Sequence, residues 1–408
     1  MSYDGYYYLM KAEEPLLSFK AQFRYGAYDY TEIKQLSDRL PFVFRNTQRT
    51  SLVNLRIWLQ SRVIQSNREF IEEIRRSAGN IHIFELLVEC FGLSLNDTYW
   101  IKPADSSVTY AKINFYDNQF DEGLSCLTLT GKSTRNPISL LSPECTTGGV
   151  LAKCWGYVDD NIVLFKRNSH SPFKQHREVL SEVLASKIAS YLGLNSLRYT
   201  QSIIYGHICS ACNLFTSKQY SLLTISNYLS GLPNREINEL ADLIYMLSPV
   251  LNTEIVYHLT QQFVLDLLIE SEDRHLHNWG FLVDNETNTI ISTAPIYDNG
   301  RSLFWDKSIS ELENLEISRY ISRKTMINGV SNEMLLRQWL DNFPNMRLYA
   351  KNLLYKATQL ADSLEFKDEV ENTAYSYYEA LSQEQEIDFS EVSYFIDLLV
   401  YHICIQRN

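Results

Sequence analysis

The sequence contains no uninterrupted apolar run of eighteen or more residues, the length that a membrane-spanning helix requires. The closest candidate, residues 392–405, is interrupted by Ser393, Asp397 and His402 and is more typical of a buried amphipathic helix. The first residues also lack the basic start and the apolar stretch of a signal peptide. We therefore expect no membrane segment and a cytoplasmic location.

Cysteines are few, and basic residues are outnumbered by acidic ones. Seven cysteines are an odd count without the density of a disulfide scaffold, which favours a reducing compartment. Cys209 and Cys212 have the spacing of half a zinc site or of a redox motif, but no second ligand pair lies nearby, so buried or incidental thiols are the simpler interpretation. A net charge of −12 argues against a general nucleic-acid-binding surface, although it does not exclude a local basic patch.

Hydrophobic residues make up 45% of the chain, and aromatic residues 13%, which argues against disorder. A chain of 408 residues can bury a large core and form two or three packed units. Residues 1–138 mix strand-like and helical patterns without a catalytic constellation, and the stretch from about residue 146 to 215 alternates strands with one helix. From about residue 217 onward the pattern is mainly helical.

Two polar clusters indicate a specific chemistry. Four residues separate Asp273 from Asn278, and Asp298 precedes an Asn-Gly pair further along the chain. Phosphoryl-transfer enzymes place one catalytic carboxylate and two magnesium ligands in this way, because hard cations prefer carboxylate and amide oxygens. Asp273 would orient or deprotonate the attacking hydroxyl, and Asn278 and Asp298 would bind Mg²⁺. ATP-dependent phosphorylation is therefore the leading hypothesis.

Either cluster alone is more typical of an ordinary polar turn. The two clusters, however, border the apolar strand-like runs 279–283 and 289–291, which flank the turn-forming residues 284–288. A hairpin built in this way would bring both clusters to one end. We therefore predict that they converge on one site.

A candidate phosphate-binding loop lies upstream. Thr146, Thr147, Gly148 and Gly149 precede a strand-like run, and a second run after a turn ends at Lys166. Glycines allow backbone N–H groups to approach phosphates, and a lysine at the end of the returning strand can reach the same phosphates. The alternative is a plain β-hairpin with an exposed lysine.

Lys166 would also need a carboxylate to orient it. The helical pattern over residues 173–192, which Gly193 would end, carries Glu178 and Glu182 one turn apart. We predict Glu182 as the ion-pair partner of Lys166, with Glu178 as the alternative. Acidic residues on a helix usually face solvent, so the spacing alone does not decide between these interpretations.

These motifs occur in the order seen in HipA-like serine/threonine kinases, which the chain resembles from roughly Thr146 to its C-terminus. The resemblance is carried by 147–149, 162–166, 182–193, 273–281 and 296–300. The Asp-Arg-His-x-x-Asn form is also similar to the catalytic loop of phosphoinositide kinases, which are considered distant relatives. Two features depart from protein kinases: the loop has fewer glycines, and Tyr297-Asp298-Asn299-Gly300 replaces Asp-Phe-Gly.

The resemblance implies an α+β, bilobal, protein-kinase-like fold. It implies an N-terminal α/β extension over residues 1–138, a small mixed β lobe over 139–216 and a helical lobe over 217–408. ATP and Mg²⁺ would be the cofactors. The implied roles are catalytic base for Asp273, Mg²⁺ ligands for Asn278 and Asp298, nucleotide contacts for Thr147, Gly148, Gly149, Lys166 and Glu182, and autophosphorylation for Thr146 or Thr147.

The same resemblance implies transfer of phosphate to a serine or threonine of a protein, which in the resembled toxins belongs to the translation machinery. It also allows an antitoxin partner. One alternative is a phosphoinositide or small-molecule kinase, which is less favoured because no strongly basic head-group site stands out. Another is an inactive kinase-fold binding module, against which the intact Asp273, Asn278 and Asp298 count.

Overall fold

The computed structural model describes residues 3–132, 138–170, 176–233, 236–315 and 330–405. These residues form helices and short antiparallel sheets, so the predicted α+β class is confirmed. The strands are β1 (Gly5–Lys11), β2 (Glu14–Arg24), β3 (Ala27–Gln35), β4 (Tyr99–Pro103), β5 (Lys153–Val158), β6 (Asn161–Lys166), β7 (Thr200–Ile204), β8 (His207–Asn213), β9 (Tyr220–Thr224), β10 (Gly280–Asp284) and β11 (Thr289–Thr293).

The helices begin and end close to local sequence signals such as Asp, Asn, Ser or Thr caps and glycines. They are α1 (Ser51–Ser61), α2 (Ile71–Ser77), α3 (Ile83–Glu89), α4 (Tyr110–Ile113), α5 (Glu122–Thr130), α6 (Glu178–Leu192), α7 (Ile225–Ser230), α8 (Leu240–Leu247), α9 (Thr253–Leu268), α10 (Ile309–Glu313), α11 (Asn332–Asn342), α12 (Arg347–Asp362), α13 (Leu364–Leu381) and α14 (Phe389–Val400), which continues as a π-helix over Tyr401–Ile405. None of the helices in the described ranges is both long and apolar enough to span a membrane.

The chain forms two compact units, each built from several segments. The first unit consists of residues 1–164, 214–235 and 281–291, and the second consists of 165–213, 236–280 and 292–408. The division into an extension and two lobes that the resemblance implies is a different way to divide the chain, and it stays a prediction.

The first unit contains a four-stranded sheet in the order β3-β2-β1-β4. Strand β1 pairs antiparallel with both β2 and β4, so that Tyr8 lies opposite Ser18 on one side and Lys102 on the other. Alternate residues of β1, Tyr7 and Leu9, are buried in a core shared with helices α1, α3 and α5. This follows from the two-residue period of a strand. Strands β9, β10 and β11 form a second sheet, and β10 and β11 are the predicted hairpin.

The second unit is largely helical. Helix α9 begins after the cap residue Asn252 and buries Ile255, Leu259 and Phe263 at helical spacing, so Asp273 follows a buried helix. Helix α6 is buried along most of its length and ends at Gly193, whose φ of +73° few other residues adopt. Residues 173–175 of the predicted helix lie outside the described residues.

Candidate active site

The loop after α9 holds its two key side chains through main-chain contacts. The amide nitrogen Nδ2 of Asn278 donates to the carbonyl oxygen of Asp273 at 2.8 Å, and the N–H of His275 donates to the same oxygen at 2.9 Å. Because the Asn278 nitrogen is used in this way, its other side-chain atom, Oδ1, is the one that can accept a cation. Asn278 is buried, whereas the Asp273 side chain is 22% exposed.

A buried arginine, Arg274, connects this loop to the segment around Asp298. Its Nη1 donates to the carbonyl oxygens of Asn278 and Tyr297, both at 2.7 Å, and its Nη2 contacts Oδ1 of Asn299. Its remaining donors pair with the carboxylate of Asp266 on α9. The sequence interpretation assigned no role to Arg274, although it stands inside the motif.

Asp298 adopts a backbone conformation that residues other than glycine rarely take, with φ of +61°. Its N–H donates to the hydroxyl of Tyr199 at 3.3 Å, and the N–H of Asn299 donates to Oε1 of Glu182 at 2.8 Å. A Cβ on Gly300 would lie 3.2 Å from atoms of Glu178 and Glu182, so glycine lets this segment approach α6 closely. The surrounding contacts hold Asp298 in a strained conformation, as is common at functional sites.

Lys166, at the end of β6, joins α6 to Asp298. Its Nζ forms an ion pair with Glu182 and donates to Oδ1 of Asp298 at 2.9 Å. Lys166 and Glu182 are almost fully buried, whereas the Asp298 side chain is 39% exposed. Burial alone would lower the pKa of Lys166, but the carboxylates of Asp298 and Glu182 outweigh it and raise that pKa, so the lysine is charged.

The partner of Lys166 is Glu182 rather than the alternative, Glu178. Glu178 is also buried, but it accepts hydrogen bonds from the N–H and the hydroxyl of Ser169. Burial raises the pKa of Glu178 to about 7, which those hydrogen bonds only partly oppose.

Asp273 has a nearby cation that the sequence did not indicate. The Nη1 of Arg301 lies 3.5 Å from Oδ2 of Asp273, and its guanidinium lies 5.2 Å from the ring centre of Trp305. Arg301 is 31% exposed, so this is a loose pair at a solvent-accessible carboxylate. Arg301 follows Asp298 by three residues but Asp273 by twenty-eight. The sequence spacing therefore does not indicate that Arg301 lies beside Asp273.

The glycine loop belongs to the first unit, where hydrogen bonds hold it on several sides. Gly149 has φ of +92°, and Nζ of Lys153 donates to the carbonyl oxygen of Gly148 at 2.9 Å. The buried Arg68 donates to the carbonyl oxygens of Thr147 and Lys153 at 2.6 and 2.9 Å.

The two threonines of the loop differ in exposure. Thr146 is buried and donates its hydroxyl to the carbonyl oxygen of Leu93. Thr147 is half-buried, accepts from the indole N–H of Trp155 at 2.9 Å and donates to the carbonyl of Pro143 at 2.7 Å. Both hydroxyls are thus engaged in the conformation seen here.

The second unit therefore gathers Lys166, Glu182, Asp273, Asn278 and Asp298, while Thr146 to Gly149 lie in the first unit. Among the described residues, no three His, Cys, Asp or Glu side chains are placed to hold a metal ion on their own. Mg²⁺ sites in phosphoryl transfer commonly use one or two protein oxygens together with substrate phosphates. One carboxylate and one amide oxygen, from Asp298 and Asn278, are a suitable donor set.

Cys209 and Cys212 are free, buried thiols on β8. In the described ranges, neither cysteine belongs to a group of three or more side chains that could hold a metal ion. Burial raises the pKa of both thiols to about 12, so they are protonated and unreactive at neutral pH. Their burial agrees with the interpretation of this pair as buried or incidental thiols.

No protein family model matches the chain. A serine/threonine-protein kinase, CtkA of Helicobacter pylori strain J99, is 29% identical over 146 residues, which cover 34% of this chain and 45% of the relative. The match thus spans less than half the length of that curated relative.

Two solved structures are also similar. A chain of the toxin–antitoxin complex of HipA, HipB and operator DNA from Shewanella oneidensis MR-1 aligns over 97% of this chain and 96% of its own length, with a TM-score of 0.54 and 12% identity. The proinflammatory kinase CtkA of Helicobacter pylori aligns over 63% of this chain and 93% of its own, with a TM-score of 0.41 and 19% identity. The resemblance to HipA-like serine/threonine kinases that the motifs predict is therefore confirmed, and the fold is similar to theirs.

Proposed function

We propose that this chain is an ATP-dependent kinase that transfers the γ-phosphate to a serine or threonine of a protein. The observation that carries the proposal is the ion-pair chain in which Lys166 joins Glu182 to Asp298, beside a loop that presents Asp273 and Asn278. Such an arrangement suits a reaction in which catalysis is mostly positioning and charge neutralisation. The similarity to CtkA and to the HipA–HipB structure supports this class of function.

Each residue has a proposed role. Lys166, held charged by two carboxylates, binds phosphate oxygens, and Glu182 fixes the direction of its side chain. Asp273 orients the attacking hydroxyl and accepts its proton. The oxygens of Asn278 and Asp298 hold Mg²⁺, which when bound neutralises charge on the phosphates. The backbone N–H groups of the loop from Thr147 to Gly149 contact the nucleotide.

The test is a phosphorylation assay with γ-labelled ATP and a generic protein acceptor, comparing wild type with Asp273→Asn and Asp298→Asn. Loss of the proton acceptor should lower kcat by roughly 10²–10⁴-fold. Loss of the Asp298 charge should lower the rate and raise the Mg²⁺ concentration needed for half-maximal activity, because Asn278 remains as the other proposed protein ligand. Asp368→Asn, an exposed aspartate on α13, is the matched control and should keep the wild-type rate. Wild-type rates in both site variants would disprove the assigned roles.

Lys166 is tested separately through the Michaelis constant. Lys166→Ala should raise the KM for ATP, because the phosphate oxygens lose their cation, while thermal unfolding shows whether the fold is kept. If the kinetics do not change, the phosphate contact belongs to another lysine, and Lys153 beside Gly148 is the next candidate.

The finer proposal is that the kinase acts as a toxin on a protein of the translation machinery and has an antitoxin partner. The neighbouring HipA structure is a complex with HipB and operator DNA, and this chain aligns with a chain of that complex over almost its whole length. Expression of wild type should arrest cell growth, and expression of Asp273→Asn should not. A phosphoproteomic comparison of the two cultures would identify the substrate, and growth arrest by both would contradict the toxin mechanism.

A further inference from the structure

The glycine loop of the first unit contains a row of main-chain N–H groups without acceptors. In the described part of the chain, the N–H groups of Gly148, Gly149, Val150 and Leu151 donate no hydrogen bond. Gly148 is exposed, and the other three residues are half-buried. Because successive backbone N–H groups can form a concave anion-binding site, this row suits the phosphates of a nucleotide.

The segment between α1 and α2 holds the carbonyl groups of the same loop. Arg68 donates from Nη1 to the carbonyl oxygen of Thr147 at 2.6 Å and from Nη2 to that of Lys153 at 2.9 Å. The main-chain N–H of the next residue, Glu69, donates to the carbonyl oxygen of Val150 at 3.0 Å. Two adjacent residues thus hold the loop at its beginning, its middle and its end.

These carbonyl contacts determine where the free N–H groups point. The peptide bonds of the loop are trans, so each C=O is directed opposite to the N–H of the following residue. The carbonyl of Thr147 points to Arg68, and the N–H of Gly148 therefore points away from it. In the same way, the carbonyl of Val150 is held on the side of this segment, and the N–H of Leu151 points to the opposite side.

Arg68 also brings a buried positive charge to the loop. Its side chain is almost fully buried, with 2% of the residue exposed. Among the residues that the structure describes, its Nε has no acceptor and no carboxylate forms an ion pair with its guanidinium. Burial lowers the pKa of Arg68 to about 10, which the charge of Glu144 partly opposes, so the guanidinium is charged at neutral pH. A buried cation without a contacting counter-ion favours an anion at this loop.

We propose that Arg68 is a positioning residue of the phosphate-binding loop, which fixes the carbonyl groups at both ends so that the N–H groups between them face the nucleotide phosphates. The planar guanidinium presents donors on separate nitrogens in a fixed fork, so one side chain can hold two carbonyl groups at once. Arg68 acts through the loop and does not itself contact the nucleotide. This inference rests on the proposed kinase function and adds a residue from outside the glycine loop to it.

The first experiment measures binding of two ligands to the full chain by calorimetry and ligand-observed NMR in the presence of Mg²⁺. One ligand is the β,γ-imido analogue of ATP, which separates binding from turnover, and the other is adenosine, which has no phosphate. Arg68→Lys keeps the charge but loses the fork that holds both carbonyl groups. The variant should bind the ATP analogue about tenfold more weakly than wild type and adenosine equally well, because only the phosphates contact the loop.

The matched control is Arg75→Lys, which changes an exposed arginine of α2 and should alter neither affinity. Unchanged binding of the ATP analogue by correctly folded Arg68→Lys would overturn the role of Arg68. An equal loss of affinity for both ligands would also overturn it, since that result indicates a general disturbance of the fold. If wild type binds the analogue no better than adenosine, the proposed kinase function itself is wrong, so the two failures are distinguishable.

The second experiment needs no variant, so it tests the proposal even if Arg68→Lys does not fold. It follows hydrogen exchange of the main-chain amides of residues 148–151 in wild type by mass spectrometry. The ATP analogue should slow this exchange, and adenosine should not, because the free N–H groups would then donate to phosphate oxygens. Exchange that the bound analogue leaves as fast as before would show that these N–H groups do not face the phosphates, and it would overturn the proposal.

Discussion

The guanidinium of Arg274 and the carboxylate of Asp266 form a buried ion pair at 3.0 Å, with 1% and 4% of the side chains exposed. The same guanidinium donates to the carbonyl oxygens of Asn278 and Tyr297. One charged group thus fixes the main chain of the two segments that carry the proposed Mg²⁺ ligands. Asp266 belongs to the buried helix α9, so the ion pair ties both segments to that helix. The spacing between the segments therefore depends on this pair.

The first prediction concerns this pair. Asp266→Asn leaves the buried charge of Arg274 without its counter-ion, so the free energy of unfolding should fall by about 3–5 kcal/mol. Urea denaturation followed by circular dichroism measures this loss. Asp341→Asn breaks the exposed pair with Arg347, where both side chains are more than half exposed, and it should cost less than about 1 kcal/mol. Similar losses of unfolding free energy in the two variants would show that the buried pair contributes no more to stability than the exposed pair.

The second prediction compares the two adjacent glycines of the loop. In Gly149→Ala the new Cβ would lie 2.2 Å from Nζ of Lys153, at a backbone φ of +92°. The lysine end can move away, but the backbone conformation costs a residue with a Cβ roughly 1–2 kcal/mol. We expect a lower melting temperature and loss of the contact between Lys153 and Gly148.

Gly148→Ala is the control for that comparison. No atom lies within 4 Å of a Cβ at Gly148, and its φ is not in the left-handed region. Its melting temperature should stay close to that of wild type. If the kinase proposal holds, Gly149→Ala should also raise the KM for ATP more than Gly148→Ala does. A reversed order of the two melting temperatures would mean that the loop is not held as the structure shows.

Helices α6 and α9 of the second unit and the β10–β11 hairpin of the first unit could be predicted because their signals are local. Helices α6 and α9 show apolar residues at helical spacing, and Gly193 marks the end of α6. The turn residues between β10 and β11 predict the hairpin, and Asn288 there has φ of +58°. These patterns depend on residues within one element, so one sequence is enough to detect them.

Other features depend on contacts between distant segments. Arg274 joins Asp266, Asn278, Tyr297 and Asn299 only after the chain has folded, so its role could not be predicted from spacing. The left-handed conformation of Asp298 also depends on contacts between distant segments, so it could not be predicted from spacing either.

Helix α13 was not predicted as a separate helix, although its signal was present. Helix α13 buries Phe366, Val370, Ala374, Tyr377 and Leu381 at helical spacing, but its acidic residues and its Asn-Thr pair obscured the pattern.

The third prediction concerns phosphorylation of the loop. The resemblance names Thr146 and Thr147 as acceptors, and the structure distinguishes them by exposure. Thr147 is half-buried, whereas Thr146 is 6% exposed and bonded to the main chain of Leu93. After incubation with Mg-ATP, mass spectrometry should therefore find more phosphate on Thr147 than on Thr146. The control is Asp273→Asn, in which neither should be labelled. Label on other residues alone would show that this loop is not the acceptor.

The fourth prediction concerns Glu178 and pH. Burial raises the pKa of Glu178 to about 7, from an ordinary value of 4.5, despite hydrogen bonds from Ser169. Between these two values the folded protein binds more protons than the unfolded chain, so this group lowers the free energy of unfolding as pH rises from 4.5 to 7. Above pH 7 the full cost is present, and below pH 4.5 it disappears.

Glu178→Gln keeps the shape of the side chain and removes the charge, so it should remove this dependence. At pH 8 the variant should be more stable than wild type by up to about 3 kcal/mol, and at pH 4.5 the two should be nearly equal. Urea denaturation at both pH values measures the difference. Glu379→Gln, an exposed residue of α13, should show the same small difference at both. If Glu178→Gln is instead less stable than wild type at pH 8, the carboxylate is charged in the folded protein at a net gain. Arg301, whose charge opposes the shift, would then be the group that stabilises it.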